Sequence, residues 1–265
     1  MPSKLGIVVT TINSPSPRIL DWLQLENSTL VVVGDTSTPH NQWLEFCAEY
    51  GSNRVLYVDC DAQEKAFPRL SNALGWRTYA RKNIGYLYAK KLGFTDVLET
   101  DDDTFPRSLL AASPLDTLCP TLELKSDTDE PFWNPYKHFA PESTLWGRGT
   151  PLTRVKEEAE GLSVRHATIN RGFFKASPHI IQYLVDNEPD LDAIYRLTQH
   201  EIIHNFEESD ELVLLPKGTF SPANTQATLW RNIQSVDALY FPSTVSLRIA
   251  DIIKMYMAQV QLPLI

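Results

Sequence analysis

Short apolar runs alternate with helix-type segments over the first hundred residues, and few folds accommodate this alternation. Runs such as Ile7-Val8-Val9 and Leu30-Val31-Val32-Val33 are typical of buried strands. Strands are predicted over Leu5–Val9, Thr29–Val33, Val55–Val58 and Thr95–Thr100, and helices over Pro17–Leu25, Trp43–Tyr50 and Trp76–Leu92. The alternation predicts an α/β, Rossmann-like fold with a doubly wound, mostly parallel sheet, whose ligands bind at the carboxyl ends of the strands.

Beyond Pro106 the alternation stops. Strand-like segments at 118–124, 164–175 and 212–215 lie among loops that contain proline and glycine, and a last helix is predicted over Ser246–Val260. We expect a single domain whose residues 1–105 bind a nucleotide and whose residues 106–265 form a smaller, mixed part on the acceptor side. The stretch between the third strand and Trp76 is interpreted as a polar linker.

Two predicted helices have apolar residues that recur on one face, which is expected to be buried. In the helix before the fourth strand these are Ile84, Leu87, Tyr88 and Leu92, and Gly93 provides the cap. In the last helix they are Ile249, Ile252, Ile253, Tyr256 and Val260.

The net charge of −9 argues against nonspecific nucleic-acid binding, which requires basic surfaces. No run is long and apolar enough for a transmembrane segment, and the first residues lead directly into a strand rather than a signal peptide. Cys47, Cys60 and Cys119 are odd in number and lack the spacing of a metal site. These features predict a cytoplasmic enzyme with reduced cysteines.

Three consecutive carboxylates, Asp101, Asp102 and Asp103, follow directly after the fourth predicted strand. Adjacent carboxylates repel one another, so they are kept together beside a cation or where water solvates them. Carboxylate oxygens at the carboxyl edge of a parallel sheet suit Mg²⁺ or Mn²⁺ that carries substrate phosphates. The triplet therefore predicts a metal–diphosphate site, with a solvated acidic turn as the alternative.

Further polar residues are expected at the same edge. Thr10 and Thr11 end the first strand and Asp35 ends the second, where a base and ribose could be held, although Asp35 also fits a simple turn. The cations and amide of Arg81-Lys82-Asn83 could bind a diphosphate or form a solvated helix face. The loops 133–139 and 146–151 are rich in aromatic residues, which favours either stacking on a sugar or base, or a packed surface loop.

A family resemblance runs through the whole chain in order. It is carried by RKNIGYLYAKKLGFTDVLETDDD (81–103), NPYKHF (134–139), RGTPL (148–152), PDLDAIYRL (189–197), LPKGTFSPANTQATLW (215–230) and RIADIIKMYMAQ (248–259). These segments resemble the STELLO family of glycosyltransferase-like proteins and, more distantly, the UDP-arabinopyranose mutases (reversibly glycosylated polypeptides). The resemblance implies a GT-A fold, in which an Asp-x-Asp motif holds a divalent cation on the diphosphate of a nucleotide sugar.

The resemblance also implies roles for individual residues. Asp101 and Asp103 become the ligands of Mn²⁺ or Mg²⁺, and Asp102 faces the ribose or sugar. Asp251 becomes the acidic catalytic residue near the acceptor, with Asp190 and Asp192 as rival acids. The donor-binding set comprises Thr10, Thr11, Asp35, Arg81, Lys82, Asn83, Asp102, His138 and Arg148, and His138 or water would supply a third metal ligand.

A rival motif, His200-Glu201-Ile202-Ile203-His204, matches the H-E-x-x-H signature of zinc metallopeptidases. The signature places both histidines on one helical face with the glutamate as general base. The extended pattern fails, because Glu207 stands where a glycine is needed, and Asp210 would serve as third ligand only with an unusual turn. We interpret the motif as coincidental.

The sequence thus predicts a metal-dependent glycosyltransferase that transfers a sugar from a nucleotide-sugar donor to an acceptor hydroxyl, in glycan or polysaccharide synthesis. A UDP-sugar is favoured by the resemblance, and no residue excludes GDP or CMP. The alternatives are a nucleotide-sugar mutase, a zinc metallopeptidase and a noncatalytic nucleotide- or glycan-binding module.

Overall fold

A computed structural model describes residues 4–107, 119–126, 132–159, 167–174, 178–199, 203–207, 212–215, 218–233 and 238–262. The chain divides into two compact units: Met1–Ala112 with Thr225–Asp251, and Ser113–Asn224 with Ile252–Ile265. The strands are β1 Leu5–Thr11, β2 Ser28–Gly34, β3 Val55–Val58, β4 Asp96–Thr100, β5 Cys119–Ser126, β6 Ala167–Phe174, β7 Ile180–Gln182, β8 Leu212–Leu214 and β9 Ala227–Trp230. The α-helices are α1 His40–Tyr50, α2 Cys60–Ala66, α3 Pro68–Leu74, α4 Lys82–Lys91, α5 Pro135–Phe139, α6 Leu152–Ala159, α7 Ala193–Thr198 and α8 Leu247–Gln261, and 3₁₀ helices span Pro17–Gln24 and Tyr79–Arg81.

The sheet of the first unit has the order β3–β2–β1–β4–β9. β1, β2, β3 and β4 are parallel, and β9 runs antiparallel to β4. The chain therefore winds outward from β1 through β2 to β3, and then crosses to β4 on the other side of β1. The predicted doubly wound, mostly parallel sheet is confirmed, and the two winding directions separate between β1 and β4.

Apolar strand residues form the core of this unit. Ile7, Val8 and Val9 are fully buried, and so is the run Leu30–Val32. Helix α4 packs closely on this sheet at Gly85, where an added Cβ would lie 2.5 Å from Val8 Cγ1. Close packing of α4 brings its first residues to the carboxyl edge of the sheet.

The sequence predictions were wrong about part of the helices. The segment read as a polar linker contains α2 and α3, and the long helix expected from Trp76 begins at Lys82. Gly75 and Arg77 have positive φ values of 68° and 60°, which exclude a helix at these residues, and the 3₁₀ helix Tyr79–Arg81 then leads directly into α4.

The predicted buried faces were also partly wrong. Ile84 is buried, but Leu87 and Leu92 are exposed, and on α8 Ile249 and Val260 are exposed. Instead α4 buries Lys82, Asn83 and Tyr86 as well as Ile84, while α8 buries Ala250, Asp251, Ile252, Lys254 and Met255. The buried faces of both helices thus include polar side chains, and apolar periodicity alone does not predict such faces.

In the second unit, β5 pairs antiparallel with β6 and parallel with β8. A separate core contains Tyr136, Ala140, Leu145, Trp146, Leu191, Tyr195 and Phe206. Tyr136 and Trp146 belong to the aromatic loops, and their burial means that these two rings pack in the interior and are not available to stack on a ligand. No helix within the described ranges has the length and apolarity needed to cross a membrane.

Candidate donor and metal site at the carboxyl edge of the sheet

The acidic triplet lies where the winding of the sheet reverses. Strand β4 ends at Thr100, so Asp101 begins the turn that leaves the sheet beside the end of β1. Crevices at such a reversal point are the usual ligand sites of open α/β sheets. The fold thus brings Thr11 of β1 and Asp102 together, although they are 91 residues apart in the sequence.

Asp102 links the ends of β1 and β4. Its Oδ2 accepts hydrogen bonds from the Thr11 hydroxyl and, at 2.9 Å, from Asn13 Nδ2. The carbonyl of Asn13 in turn accepts a hydrogen bond of 2.9 Å from Trp43 Nε1. One oxygen of Asp102 is therefore used to fix the loop after β1; its predicted role beside the ribose or sugar stays a prediction.

Asp101 forms an ion pair with a buried lysine of α4. Lys82 Nζ lies 2.8 Å from Asp101 Oδ1 and donates a second hydrogen bond of 3.1 Å to the Thr225 carbonyl. Burial of Lys82 opposes its charge, but the negative charges of Asp101 and Glu99 outweigh this and raise its pKa. Lys82 is therefore a fixed positive charge at the base of the acidic turn.

Asp103 lies close enough to the other two carboxylates to be affected by their charges. Partial desolvation raises its pKa, and the charges of Asp101 and Asp102 raise it further, against a hydrogen bond from Thr104. A positive ion beside Asp101 and Asp103 would relieve this repulsion.

The carboxylates of Asp101 and Asp103 suit an Mg²⁺ or Mn²⁺ ion whose remaining ligands come from water and substrate. Within the described ranges, no three His, Cys, Asp or Glu side chains are grouped so as to hold a metal by themselves. Mg²⁺ is commonly bound through one or two carboxylates, and waters and substrate phosphates complete its coordination. Asp101 and Asp103 could provide the two carboxylates.

Glu99 of β4 is a charged residue of this region that sequence reasoning missed. It is fully buried, and its carboxylate accepts hydrogen bonds from the Tyr86 hydroxyl and, at 2.6 Å, from Trp230 Nε1. Its charge also contributes to the raised pKa of Lys82. A glutamate within a buried strand was the available signal, because a buried carboxylate needs donors.

Asp251 of α8 belongs to the same charge cluster. It is buried, and its negative charge also helps to raise the pKa of Lys82. Lys82 thus interacts electrostatically with a predicted metal ligand and with the predicted catalytic base. The role of Asp251 as a base stays a prediction.

Asp35, at the end of β2, is buried and already bound by protein groups. Its Oδ1 accepts hydrogen bonds from the Thr36 backbone N–H at 2.6 Å and from the Thr36 hydroxyl at 3.2 Å. Its Oδ2 accepts a bond of 2.8 Å from the backbone N–H of Arg77. The turn chemistry considered for Asp35 is therefore present, and donor binding by this carboxylate stays a prediction.

Arg81 and Asn83 are buried rather than solvated. Arg81 donates to Gln63 Oε1 at 2.8 Å and Ser71 Oγ at 3.0 Å, and its guanidinium lies 3.3 Å from the ring centre of Trp76. Asn83 holds the backbone of Phe241 through two hydrogen bonds of 2.8 Å each. Both side chains tie α4 to its surroundings, and their contacts with a donor stay predictions.

Two buried polar atoms near this edge lack hydrogen-bond partners among the described residues. They are Thr10 Oγ1, at the end of β1, and Arg81 Nε. Buried polar groups are normally paired, so such atoms mark places where a ligand or ordered water is expected.

The second unit contains the remaining predicted residues. His138 packs between the rings of Trp133 and Phe139. Arg148 forms a two-point ion pair with Asp190, in which both N–O distances are 2.8 Å.

Asp192 caps α7 by accepting a hydrogen bond of 2.8 Å from the Ile194 backbone N–H. The structure thus gives Arg148, Asp190 and Asp192 partners within the second unit. Their functional roles, like that of His138, stay predictions.

The H-E-x-x-H segment is described in part. His200 and Glu201 lie outside the described residues, while α7 ends at Thr198 and Gln199 has an extended backbone. His204 forms an isolated antiparallel bridge with Asn187, and its ring contacts Phe206. His204 is thus in an extended segment, whereas the peptidase motif requires it on a helix.

The chain is similar over most of its length to two proteins of a plant. No protein-family model matches the chain. Over 96% of its length it is 24% identical to the probable glycosyltransferase STELLO2 of Arabidopsis thaliana, and over 96% it is 25% identical to the probable glycosyltransferase STELLO1 of the same plant. The resemblance to the STELLO proteins is confirmed. The matches cover 33% and 32% of these relatives, so the chain spans about a third of the length of the curated proteins it resembles.

Proposed function

We propose that this chain is a divalent-metal-dependent glycosyltransferase that uses a nucleotide-sugar donor and an acceptor hydroxyl. The observation that carries the proposal is the acidic turn at the reversal point of the sheet, with Lys82 paired to Asp101 and Thr11 bonded to Asp102. The glycosyltransferase names of the two similar plant proteins support the reaction class.

Asp101 and Asp103 would hold Mn²⁺ or Mg²⁺, which supplies positive charge to a donor diphosphate. Lys82 adds a permanent cation next to this position and orients Asp101 through its ion pair. As the leaving diphosphate gains negative charge, a fixed cation of this kind stabilises the transition state. UDP is the favoured nucleotide.

The nucleoside would lie along the ends of β1 and β2, where Thr10 and Asp35 are located. The buried hydroxyl oxygen of Thr10 has no hydrogen-bond partner among the described residues, which supports a ligand at this position. Asp251 would remove the proton from the acceptor hydroxyl if the reaction inverts the configuration of the sugar.

Donor turnover tests this function directly. Purified protein is incubated with UDP-glucose, UDP-galactose, UDP-arabinopyranose and GDP-mannose in Mn²⁺, and released nucleotide and sugar are separated by HPLC. We expect one donor to be consumed, with activity lost in Asp103→Asn and kept in the exposed α2 control Asp61→Asn. Full activity of Asp103→Asn would refute the metal assignment. An isomerised nucleotide sugar without released nucleotide would identify a mutase instead.

A further inference from the structure

The turn between α3 and α4 contains an arginine, Arg77, with an unusual backbone conformation. Among the described non-glycine residues with positive φ, three are asparagines, Asn27, Asn187 and Asn232, and the fourth is Arg77 with φ 60°. Asparagine adopts this conformation at little cost, whereas arginine has no side-chain group that compensates for it. A non-glycine residue held in this region is a recognised mark of a functional position.

Asp35 holds Arg77 in this conformation. The backbone N–H of Arg77 donates a 2.8 Å hydrogen bond to Oδ2 of Asp35, which is buried at the end of β2. Asp35 is itself fixed, because its backbone N–H donates to Thr38 Oγ1 at 2.7 Å, and the Thr38 hydroxyl donates to the Thr11 carbonyl at 2.6 Å. The turn is thus tied to the ends of both β1 and β2.

The side chain of Arg77 is exposed, and no described residue forms a hydrogen bond or ion pair with its guanidinium. The neighbouring Arg81 differs, since it is buried and bonded to Gln63 and Ser71. Arg77 therefore carries five N–H donors and no acceptor, and its backbone is bonded to Asp35 at the end of β2, where the nucleoside is proposed to lie.

We propose that Arg77 is a specificity-determining residue that recognises the carbonyl oxygen of a keto nucleobase, uracil or guanine, and that Asp35 is its positioning residue. The proposal rests on the proposed function, because it requires a nucleoside along the ends of β1 and β2. Uracil O4 and guanine O6 accept hydrogen bonds at the position where cytosine and adenine carry an amino group that donates. A guanidinium can donate to the oxygen of uracil or guanine, whereas in cytosine and adenine it would face an amino group that is also a donor.

Calorimetric titration in Mn²⁺ tests this with UDP, GDP, CDP, ADP and inorganic pyrophosphate as separate probes. We expect the wild-type protein to bind UDP or GDP at least about tenfold more tightly than CDP and ADP. Arg77→Gln should weaken the affinity for the preferred nucleotide about tenfold and change the affinities for CDP, ADP and pyrophosphate by less than about twofold. Comparison of UDP with GDP identifies the base.

Two further variants separate recognition from folding. Arg69→Gln, at an exposed position on α3, is the matched control and should bind every probe as the wild type does. Arg77→Gly removes the strained side chain, so we expect its melting temperature to rise by about 2–4 °C while base selectivity is lost. Asp35→Ala should lose the same selectivity although Arg77 is present.

The possible outcomes distinguish failure of base recognition by Arg77 from failure of nucleotide binding as a whole. If the wild type binds a nucleotide and Arg77→Gln binds all probes unchanged, the specificity proposal is overturned and the proposed function stands. An equal loss for pyrophosphate and nucleotides in Arg77→Gln also overturns it, because the arginine would then act on phosphate. If the wild type binds pyrophosphate but no nucleotide, both the proposed function and this inference fail.

Discussion

The ion pair between Lys82 and Asp101 should be measurable as a coupling in the stability of the protein. Lys82 has a side chain that is 1% exposed, that of Asp101 is 36% exposed, and Nζ lies 2.8 Å from Oδ1. At this 2.8 Å separation, unit charges attract by about 6 kcal/mol at an effective dielectric constant of about 20, and by about 1.5 kcal/mol in bulk water.

Partial exposure of Asp101 places the coupling between these limits, and we expect about 2–3 kcal/mol. Lys82→Met should cost about 2–4 kcal/mol, because it removes the cation that interacts with Asp101, Glu99 and Asp251. Asp101→Asn should cost a similar amount, because Lys82 stays buried without its strongest partner. The double variant should cost less than the sum of the two by the coupling energy.

Urea denaturation in EDTA, followed by tryptophan fluorescence, gives the free energy of unfolding for the wild type and the three variants. A coupling below about 0.5 kcal/mol, which is the scatter expected for independent sites, would mean that the two side chains do not stabilise each other. The ion pair is also the reason why Asp103→Asn is the better variant for testing metal binding, since Asp101→Asn disturbs a buried lysine as well.

Three other changes have expected effects on stability. Because the pKa of Asp103 is raised in the folded protein, the metal-free fold should lose stability as pH rises through that pKa. Asp103→Asn should remove this loss and stabilise the protein by about 0.3–0.5 kcal/mol at pH 7, measured by urea titration. If the variant kept the pH dependence of the wild type, Asp103 would not be its source. Asn83→Ala removes two hydrogen bonds from the buried backbone of Phe241 and should cost about 2–3 kcal/mol in the same assay, whereas a cost below about 0.5 kcal/mol would mean that water replaces the amide. Trp230→Phe removes the indole N–H from the buried Glu99 carboxylate and should lower the free energy of unfolding by about 1.5–3 kcal/mol, whereas an unchanged free energy of unfolding would mean that this hydrogen bond gives no net stabilisation.

The sheet could be predicted from the sequence because its strands are continuous buried runs. β3 was predicted with its observed ends, Val55–Val58, and the other strands of the parallel sheet within one or two residues. The helices were less predictable. α2 and α3 are short and polar, and the start of α4 is determined by the left-handed Gly75 and Arg77, which periodicity does not reveal.

The location of the acidic turn was also predictable, because it follows directly from the position of β4. Its neighbours were not. The Asp102–Thr11 bond, the Lys82–Asp101 ion pair and the Glu99–Trp230 bond join residues that are 91, 19 and 131 positions apart. Such contacts depend on which strands are adjacent and on which face of α4 is buried, and apolar spacing predicted that face only in part.

We propose that Asp101 and Asp103 bind a nucleotide diphosphate through a divalent cation. The most direct measurement is calorimetric titration of UDP, GDP and CMP into the protein with Mn²⁺ and with EDTA, in parallel with Asp103→Asn and the control Asp61→Asn. We expect a nucleoside diphosphate to bind in Mn²⁺ to the wild type and to Asp61→Asn, and we expect this binding to be lost in EDTA and in Asp103→Asn. Nucleotide binding of equal strength in EDTA, or in Asp103→Asn, would contradict it.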